Sequence, residues 1–420
     1  MELLRFFTAG NVDDGKSTLI GRLLLDSGSI STDIIETVTR QSKATGEHAT
    51  IDLALLTDGL RAEREQGITI DVAYKYFSTD RRKFIIADTP GHAQYTRNMF
   101  TGASTADLAI ILVDARNGIT EQTRRHTIIS AVLGIPHILV CINKMDLVNY
   151  SEARYEAIKR DFSAVTAALS LNQVSFIPTS ALSGENVVHP STHMHWYTGQ
   201  SLLSFLEQIP VQPIQSHDKA RFQVQYVIRP QTTELHDYRG YAGTLWSGKL
   251  QVGDNVQVLP GGFSTRIQAI EHNLKTIESA DAGQPVVIQL EDDIDISRGA
   301  WIAPVSELPV MSDFVQGTIC WMDNKPFQTG GMKLLLQQGS FSTKAFIKEI
   351  TYKIDIETFE KRPSDDELKL NELASVLIRT AEPVVFDNYK ENRTTGAFIL
   401  INEYTNQTVA AGVLEVNLQQ

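Results

Sequence analysis

Cysteine and long apolar runs are scarce in this sequence. Only two of its 420 residues are cysteines, Cys141 and Cys320, and each lies in a short apolar run. Two such thiols give neither a disulfide framework nor the spacing of a metal site, so we expect both to be buried in a protein from the reducing cytoplasm. No run approaches the ~18 apolar residues of a spanning helix, and no signal-peptide pattern opens the chain. These absences exclude a disulfide-stapled secreted domain and predict no membrane contact.

Positive charge is also in short supply. The chain has 38 Lys and Arg against 50 Asp and Glu, a net charge of −12. Binding to nucleic acid needs clustered cations against the phosphates, so this balance argues against a large nucleic-acid footprint, although acidic translation factors exist. The hydrophobic fraction of 42% and the charged fraction of 21% are typical of globular proteins. The length predicts roughly two to three domains.

The first motif that carries chemistry is GNVDDGKS at 10–17. It lies between an apolar run at 3–9, which predicts a buried strand, and a predicted helix at 16–25. Glycines let backbone N–H groups turn toward an anion, and the helix N-terminus adds partial positive charge. We expect Lys16 to reach the β- and γ-phosphates of a nucleotide and the Ser17 hydroxyl to bind Mg²⁺. The predicted phosphate-binding residues are Gly10, Asn11, Val12, Asp13, Asp14, Gly15, Lys16, Ser17, Thr18 and Gly91.

The second motif is DTPGH at 88–92, which follows an apolar strand pattern at 84–87. A carboxylate at Asp88 can hold the metal opposite Ser17. The N–H group of Gly91 can bind a γ-phosphate, so this segment can sense whether that phosphate is present. His92 stands where related GTPases place the group that orients the attacking water, and we predict that catalytic role for it. The alternative is a surface histidine with no catalytic part.

The third and fourth motifs predict a guanine site. NKMD at 143–146 follows an apolar strand pattern at 138–142, and SAL at 180–182 follows one at 174–178. The Asp146 carboxylate can accept hydrogen bonds from N1–H and the 2-amino group of guanine. Adenine lacks that donor pair and would leave the carboxylate unpaired, so GTP is favoured over ATP. We expect backbone N–H groups of 180–182 to bind guanine O6. The predicted guanine-binding residues are Asn143, Lys144, Asp146, Ser180, Ala181 and Leu182.

GITI at 67–70 supplies a further element of the nucleotide site. Thr69 is the expected second hydroxyl ligand of the metal, so the predicted Mg²⁺ ligands are Ser17, Thr69 and Asp88. The long polar stretch 27–66 predicts a partly helical switch that orders on the γ-phosphate and relaxes after hydrolysis. By analogy, Val12 and Ile68 form an apolar gate that keeps His92 from the water in the resting state.

Together these motifs resemble the elongation-factor class of translational GTPases, and more closely the GTPase subunit family of bacterial sulfate adenylyltransferase. The closer likeness rests on five segments: VDDGKSTLIGRLLLD at 12–26, TDGLRAEREQGITIDVAYKYF at 57–77, IADTPGHAQYTRNMFTGAS at 86–104, RGYAGT at 239–244 and NRTTGAFILI at 392–401. Elongation factor Tu has histidine where this chain has Asp14. Departures are Ala93, where the subunit family usually has Glu, and the stretch 231–237. The resemblance covers essentially the whole chain and is most specific in its first half.

The pattern along the chain and the resemblance give one fold prediction. Up to about residue 210, strand patterns alternate with helical ones such as 152–169 and 202–208, as in a doubly wound α/β domain with a mostly parallel sheet. Short strand patterns separated by Gly and Pro turns follow, which predicts antiparallel barrels. We expect an α/β P-loop GTPase domain at 1–212, a β-barrel domain at 217–308 and a second β-barrel domain at 309–420.

The resemblance also implies an activity. A member of this family binds GTP and Mg²⁺ and couples GTP hydrolysis to the formation of adenylyl sulfate and pyrophosphate from ATP and sulfate, in sulfate assimilation. Neither an H-x-G-H nor an S-G-G-x-D-S motif is present, so we expect adenylyl transfer on a partner catalytic subunit, in a heterodimer or a higher assembly. We also expect no fused adenylyl-sulfate kinase and a missing polar leader. The alternatives are a translation factor that carries aminoacyl-tRNA and a GTPase with an unknown partner.

A histidine cluster needs a separate interpretation. His189, His193 and His195 fall within seven residues of one another. Three imidazoles can bind a transition metal, but no carboxylate or cysteine has suitable spacing in the sequence. We therefore expect a loop before the final helix of the GTPase domain.

Overall fold

The computed structural model describes residues 2–30, 32–33, 35–36, 53–56, 69, 71–92, 95–169, 171, 173–211, 219–230, 238–355, 358 and 360–416. Ile68 of the predicted gate, Ala93, the stretch 231–237 and most of the predicted switch segment lie outside these residues. The chain forms two compact units, a first that ends at Val211 and a second that carries the strands from Arg221 onward.

The first unit is built on a sheet that is parallel except at one edge. Its strands, within the described ranges, are β1 (Leu3–Ala9), β2 (Ala73–Ser78), β3 (Lys83–Asp88), β4 (Leu108–Asp114), β5 (His137–Asn143) and β6 (Val174–Pro178). Their order is β2-β3-β1-β4-β5-β6, and β2 pairs antiparallel with β3. All residues of β4 are buried, as expected for a parallel strand covered on both faces. The order puts the carboxyl ends of β1, β3, β4 and β5 at one edge, where the site residues follow.

The helices of the first unit connect these strands. In the described residues they are α1 (Lys16–Asp26), α2 (Thr96–Ala103), α3 (Glu121–Val132), α4 (Glu152–Ala168) and α5 (Leu202–Gln208), with 3₁₀ turns at Leu53–Leu56 and Met145–Val148. Three of the helices have a hydroxyl side chain as N-cap: Thr120 caps α3, Ser151 caps α4 and Ser201 caps α5. The N-cap of α1 is Gly15, whose backbone is left-handed and which offers no side chain. The first N–H groups of α1 therefore have no side-chain cap.

The first β-barrel domain of the second unit has nine strands in the described part of the chain, six of which form the closed barrel. They are β7 (Arg221–Ile228), β8 (Gly240–Ser247), β9 (Lys249–Gln251), β10 (Asn255–Leu259), β11 (Phe263–His272), β12 (Lys275–Ile277), β13 (Ser279–Asp281), β14 (Pro285–Leu290) and β15 (Trp301–Pro304). The sheet β10-β15-β7-β8-β14-β11 closes through β10 pairing with β11. Gly248, Gly253 and Gly283 have φ of 69°, 90° and 86° at the turns that the sequence predicts.

The second β-barrel follows a 3₁₀ turn at Val305–Glu307. Its described strands are β16 (Val310–Trp321), β17 (Phe327–Gln328), β18 (Leu334–Gln338), β19 (Phe341–Ile354), β20 (Lys361–Arg362), β21 (Glu367–Leu368), β22 (Leu373–Phe386), β23 (Ala397–Asn402) and β24 (Thr408–Glu415). The sheet β18-β23-β24-β16-β22-β19 closes through β18 pairing with β19. Two closed six-stranded antiparallel barrels after an α/β domain confirm the predicted fold class.

A buried ion pair joins the two barrels. Arg221 of β7 contacts Asp387 after β22 through two hydrogen bonds of 2.9 Å, and their side chains are 1% and 6% exposed. Thr395 donates a further hydrogen bond to the same carboxylate. The pair ties the start of the first barrel to the end of a central strand of the second.

Two further expectations concern single residues and helices. Cys141 in β5 and Cys320 in β16 are free thiols in buried positions, which confirms the prediction of core burial. No helix within the described ranges is both long and apolar enough to cross a membrane.

Candidate nucleotide site

The phosphate loop is closed by its own backbone and by Asp14. The Asp14 N–H donates to the Asn11 carbonyl at 3.2 Å, and the Asn11 N–H donates to the Asp14 carboxylate at 2.7 Å. Asp13 and Gly15 have φ of 69° and 88°, so both turn the backbone through the left-handed region. A Cβ on Gly15 would lie 2.6 Å from the Asn143 amide nitrogen, so glycine is required there. The conformation of the loop is therefore fixed by its own hydrogen bonds and by the close approach of Asn143.

Two glycines bring the DTPGH segment against the phosphate loop. A Cβ on Gly91 would lie 2.1 Å from the Gly10 carbonyl oxygen, a distance that no side chain tolerates. The Thr89 hydroxyl donates to the Thr8 carbonyl at 2.7 Å and fixes the segment to the end of β1. The close approach puts the Gly91 backbone beside the loop that would hold phosphates.

Lys16 joins three of the motifs. Its ammonium donates to the Thr69 hydroxyl at 2.7 Å and forms an ion pair with the Asp88 carboxylate. Lys16 is 8% exposed and Asp88 2% exposed, so the pair is shielded from water. The Thr8 hydroxyl donates to the same carboxylate at 3.3 Å. Residues 16, 69 and 88, which are distant in the sequence, thus meet at one point.

The same point has the donor atoms that a magnesium ion needs. Mg²⁺ prefers oxygen ligands, and Thr69 and Asp88 supply a hydroxyl and a carboxylate within reach of one cation, the Lys16 ammonium. Ser17 lies next to Lys16 in the first turn of α1. The residues therefore fit the metal that the motifs predict.

Asn143 links the base-reading segments to the phosphate loop. Its side-chain oxygen accepts hydrogen bonds from the Ala181 N–H at 2.9 Å and from the Thr179 hydroxyl at 3.3 Å. Its side-chain nitrogen donates to the Asp14 carbonyl at 2.8 Å. The residue is 1% exposed. Asn143 thus acts as a cross-link, so its side chain is engaged by the protein.

The segment 180–182 differs from expectation in one respect. The N–H of Ser180 donates to the Glu185 carbonyl at 3.1 Å, and that of Ala181 donates to Asn143. Two of the three N–H groups assigned to guanine O6 are therefore bonded within the protein, one in the turn at 180–185 and the other to the Asn143 side chain. The Ser180 hydroxyl donates to the Asp146 carboxylate at 2.6 Å and orients it. Leu182 is 65% exposed.

Lys144 connects the base segment to two more acidic residues. Its backbone has φ of 62°, and its ammonium lies 3.1 Å from the Asp114 carboxylate and donates to the Asp13 carbonyl. Burial raises the pKa of Asp114, but hydrogen bonds from Arg116 and Lys144 outweigh it and lower the pKa to about 2. Asp114, at the end of β4, thus supplies a permanent negative charge that anchors Lys144.

Asp14 is the most perturbed carboxyl of the loop. Its side chain is 2% exposed, and burial raises its pKa to about 7 in spite of the hydrogen bond from Asn11. The neighbouring carboxylates Asp114 and Asp13 raise it further, and Lys144 lowers it. Since this carboxyl bonds within the loop, the side chain of Asp14 supports the loop and only its backbone can face a phosphate.

Arg22 and Asp114 are site residues that the motifs did not indicate. The Arg22 guanidinium, one turn and a half into α1, donates to the carbonyls of Ala181 and Leu182 at 3.1 and 2.5 Å. It also pairs with Asp26 at 3.3 Å. It fixes the base loop to the helix that starts at the phosphate loop. No spacing rule in the sequence connects positions 22 and 181.

His92 and Val12 lie at the surface of the site. His92 is exposed, its carbonyl accepts a hydrogen bond from the Tyr95 N–H at 3.0 Å, and the two rings are 6.2 Å apart between centroids. Val12 is 38% exposed. Ile68, the other residue of the predicted gate, lies outside the described residues. His92 thus lies at the surface, directly after Gly91.

The histidine cluster contains one contact that the sequence reasoning excluded. His193 lies 3.0 Å from the Glu185 carboxylate and stacks on Tyr150 at 4.8 Å between ring centroids. The loop before α5 folds residue 185 back onto residue 193, so the contact is a pairwise one within the loop. Among the residues described, no group of three or more His, Cys, Asp or Glu could hold a metal ion.

Comparisons with known proteins define the class. The family "Elongation factor Tu GTP binding domain" matches residues 1–215, and "GTP-eEF1A C-terminal domain-like" matches residues 315–415. The site described above is thus that of an elongation-factor-Tu-type GTPase.

Curated relatives narrow the class to one family. Sulfate adenylyltransferase subunit 1 of Colwellia psychrerythraea is 49% identical over 414 residues, which are 98% of this chain and 88% of that protein. The bifunctional enzyme CysN/CysC of Mycobacterium tuberculosis is 50% identical over 412 residues, 98% of this chain and 67% of that protein. The chain belongs to the sulfate adenylyltransferase subunit 1 family, as the motifs predicted. It is an enzyme subunit with a GTPase domain, and the carrier of aminoacyl-tRNA is the less supported alternative.

A solved structure of sup35 complexed with GDP covers 99% of this chain and 94% of its own, with a TM-score of 0.45 and 22% identity. A likeness at this level carries no argument about function.

Proposed function

We propose that this chain hydrolyses GTP at the site formed by residues 10–18, 88–92, 143–146 and 180–182, and that the nucleotide state controls adenylyl sulfate formation on a partner subunit. The observation that carries the proposal is the position of Lys16, between Thr69 and Asp88. A charged triphosphate would compete with Asp88 for this ammonium. The hydrogen bond from the ammonium to the Thr69 hydroxyl would then change as well.

The phosphate loop supplies the first part of the chemistry. The uncapped N–H groups at the start of α1 and the Lys16 ammonium would bind the β- and γ-phosphates, where they offset negative charge. Ser17, Thr69 and Asp88 would hold Mg²⁺, which neutralises charge that develops on the phosphate oxygens. The Gly91 N–H, held against Gly10, would donate to the γ-phosphate and would lose this contact after hydrolysis.

His92 supplies the catalytic part of the proposal. Its exposed imidazole follows Gly91 directly, so it can reach a water beside the γ-phosphate. A positioned imidazole orients that water for in-line attack, and the proton of the water passes to the phosphate or the imidazole. The Val12 and Ile68 gate stays part of this proposal.

The base segment would select guanine. Asp146, oriented by the Ser180 hydroxyl, would accept hydrogen bonds from N1–H and the 2-amino group of the base. The Lys144 stem would lie along the face of the base, and Asn143 would hold both segments in place. Of residues 180–182, Leu182 is the one whose N–H we assign to guanine O6.

The partner is proposed from chemistry and from the family. The name "subunit 1" implies a second subunit. We assign to it the reaction of ATP with sulfate, which forms a phosphate–sulfate anhydride and releases pyrophosphate. That equilibrium is unfavourable, and GTP hydrolysis can shift it only if the GTP and GDP forms of this chain have different affinities for the states of the partner. A heterodimer or a higher assembly of such pairs would do so.

The decisive experiment measures coupling in the reconstituted pair. With ATP and sulfate present and no pyrophosphatase added, GTP is expected to raise the amount of adenylyl sulfate beyond the level reached without GTP. GDP and the Lys16→Ala chain are the matched controls, since neither can supply hydrolysis. An equal amount of adenylyl sulfate with GTP, with GDP and without nucleotide would contradict the coupling.

A second experiment tests His92. His92→Ala should slow GTP hydrolysis by roughly two to four orders of magnitude while GTP binding, measured by calorimetry, is largely kept. His189→Ala, a change at another exposed histidine, is the control and should leave hydrolysis unchanged. Normal turnover in the His92 variant would remove this residue from the mechanism.

Two organisational points belong to the same proposal. We place the domains at 1–212, 217–308 and 309–420, so that β1–β6, β7–β15 and β16–β24 each fall in one domain. We also place the protein in the cytoplasm, in keeping with its two free buried thiols.

A further inference from the structure

The outer face of the second barrel carries a line of exposed aromatic and cationic side chains. Phe314 of β16 and Phe346 of β19 both pair with Arg379 of β22, which lies between them. Phe314 is 37% exposed, Phe346 is 42% exposed, and Arg379 is exposed as well. Three neighbouring strands thus place Phe, Arg and Phe side by side, away from the barrel core. We call these residues, together with Lys348, the aromatic row.

The two cations of the row are held by an aromatic ring. The Lys348 ammonium lies 5.2 Å and the Arg379 guanidinium carbon 5.4 Å from the centroid of the Phe314 ring, both within cation–π range. Within the part of the chain that is described, neither cation has an ion-pair partner. On the same strand β19, in contrast, Lys344 contacts Glu403 at 3.0 Å and Lys353 contacts Glu372 at 2.8 Å.

The backbone fixes the position of the row. The Phe314 N–H donates to the Ser312 hydroxyl at 3.0 Å, and that hydroxyl donates to the Phe314 carbonyl at 2.7 Å. The strand register shifts between Ser312 and Phe314 on β16, and again between Ile347 and Glu349 on β19. Bulges of this kind turn side chains to a new direction and are common beside functional surfaces. The Ser312 hydroxyl thus fixes the backbone at Phe314, so less backbone freedom is lost when a partner binds there.

We propose that the aromatic row is the docking surface for the partner subunit, which presents carboxylates to Arg379 and Lys348. This inference rests on the proposed function, because that function requires a partner. Aromatic residues and arginine are enriched at the centres of protein interfaces and supply most of their energy. Charge complementarity selects the occupant. The row has only two unpaired cations, and the chain as a whole has a net charge of −12. A nucleic acid extends further than the row, so most of its phosphates would face a negatively charged protein surface and be repelled. A second copy would bring the same net charge.

The test measures binding of the purified partner subunit to the full-length chain. Phe314→Ala should weaken the complex at least about 10-fold, and Arg379→Glu should weaken it further and reverse the effect of added salt. Phe263→Ala, at an aromatic residue on the first barrel that is 57% exposed, and Lys249→Glu are the matched controls and should bind normally. Intrinsic GTP hydrolysis and the thermal midpoint should be the same in all variants.

The outcomes separate the surface from the function. If the unchanged chain binds the partner and both row variants bind equally well, the aromatic row is not the docking surface, while the proposed function stands. If the unchanged chain does not bind the partner, both the proposed function and the proposed docking surface are contradicted. Binding of a single-stranded RNA probe, or self-association in sedimentation, that Arg379→Glu abolishes while partner binding persists would assign the row to that other occupant and overturn the proposal.

Discussion

The carboxyl of Asp14 should make the stability of the GTPase unit depend on pH, and Asp14→Asn should remove that dependence. Burial raises the pKa of Asp14 to about 7 in the folded protein, against an ordinary value of 3.8. The folded form therefore holds this proton more tightly than the unfolded chain does. The stabilising effect of the protonated form is fully present below the unfolded pKa and is lost as pH rises through the folded pKa.

The magnitude follows from the two pKa values. A shift from 3.8 to about 7 corresponds to about 4 kcal/mol between the fully protonated and the fully ionised limits, at about 1.4 kcal/mol per pKa unit. Between pH 5 and pH 8 the ionisation of Asp14 should lower the free energy of unfolding by about 2.5 kcal/mol. In Asp14→Asn this part of the pH dependence should vanish, because the amide oxygen still accepts the Asn11 N–H but carries no charge.

Hydrogen exchange measured on peptides from β1 and β4 provides the assay, since these buried strands report the opening of the first unit alone. The ratio of exchange rates in the two proteins at one pH gives the difference in opening free energy, because intrinsic rates and all other titrating groups cancel. Asp13→Asn, at the exposed neighbouring carboxylate, is the control, and it should keep most of the pH dependence because the Asp13 charge is the smallest influence on the pKa of Asp14. A difference between Asp14→Asn and the unchanged protein that stays constant from pH 5 to pH 8 would refute the reasoning.

Three further changes test other contacts. Gly91→Ala should lower GTP affinity at least about 10-fold in calorimetry, because its Cβ would lie 2.1 Å from the Gly10 carbonyl oxygen; normal affinity would mean that the two segments separate at no cost. Arg221→Met should destabilise the second unit by about 3–5 kcal/mol in urea unfolding, since it leaves Asp387 buried and unpaired, and adding Asp387→Leu should recover most of this; no recovery would contradict the ion-pair explanation. Asp146→Asn should shift nucleotide preference from GTP toward xanthosine triphosphate in competition binding, and unchanged guanine selectivity would remove Asp146 from the base site.

The parts of the site that the sequence predicts are those set by local spacing. The strand at 3–9, the helix that starts at Lys16 and the turn glycines of the first barrel follow from period, composition and φ requirements within a few residues. The joining of Lys16 with Thr69 and Asp88 is predictable because each belongs to a motif with a known order along the chain.

Contacts that depend on packing between distant segments were not predictable. The raised pKa of Asp14 depends on its burial and on the charge of Asp114, which lies a hundred positions away at the end of β4. The bonding of the Ala181 N–H to Asn143 depends on how the turn at 180–185 closes, and no pattern at that turn shows it. Closure of the barrels likewise rests on the register of β10 with β11 and of β18 with β19, which alternation alone leaves undetermined.

The Lys16–Asp88 pair implies that nucleotide and divalent cation bind with linked affinities. The ammonium of Lys16 neutralises the carboxylate of Asp88, and both are buried. A triphosphate that draws the ammonium away leaves Asp88 as an unpaired buried anion beside further negative charge, which is strongly unfavourable. A divalent cation that binds Asp88 removes this cost, so GTP and the cation must each raise the affinity of the other by the same factor. The hydroxyl of Thr69, which accepts a hydrogen bond from the same ammonium, would change partner in the same step. On the proposed mechanism, the exchange of the Lys16 ammonium for a divalent cation at Asp88 would therefore link GTP binding to the position of Thr69.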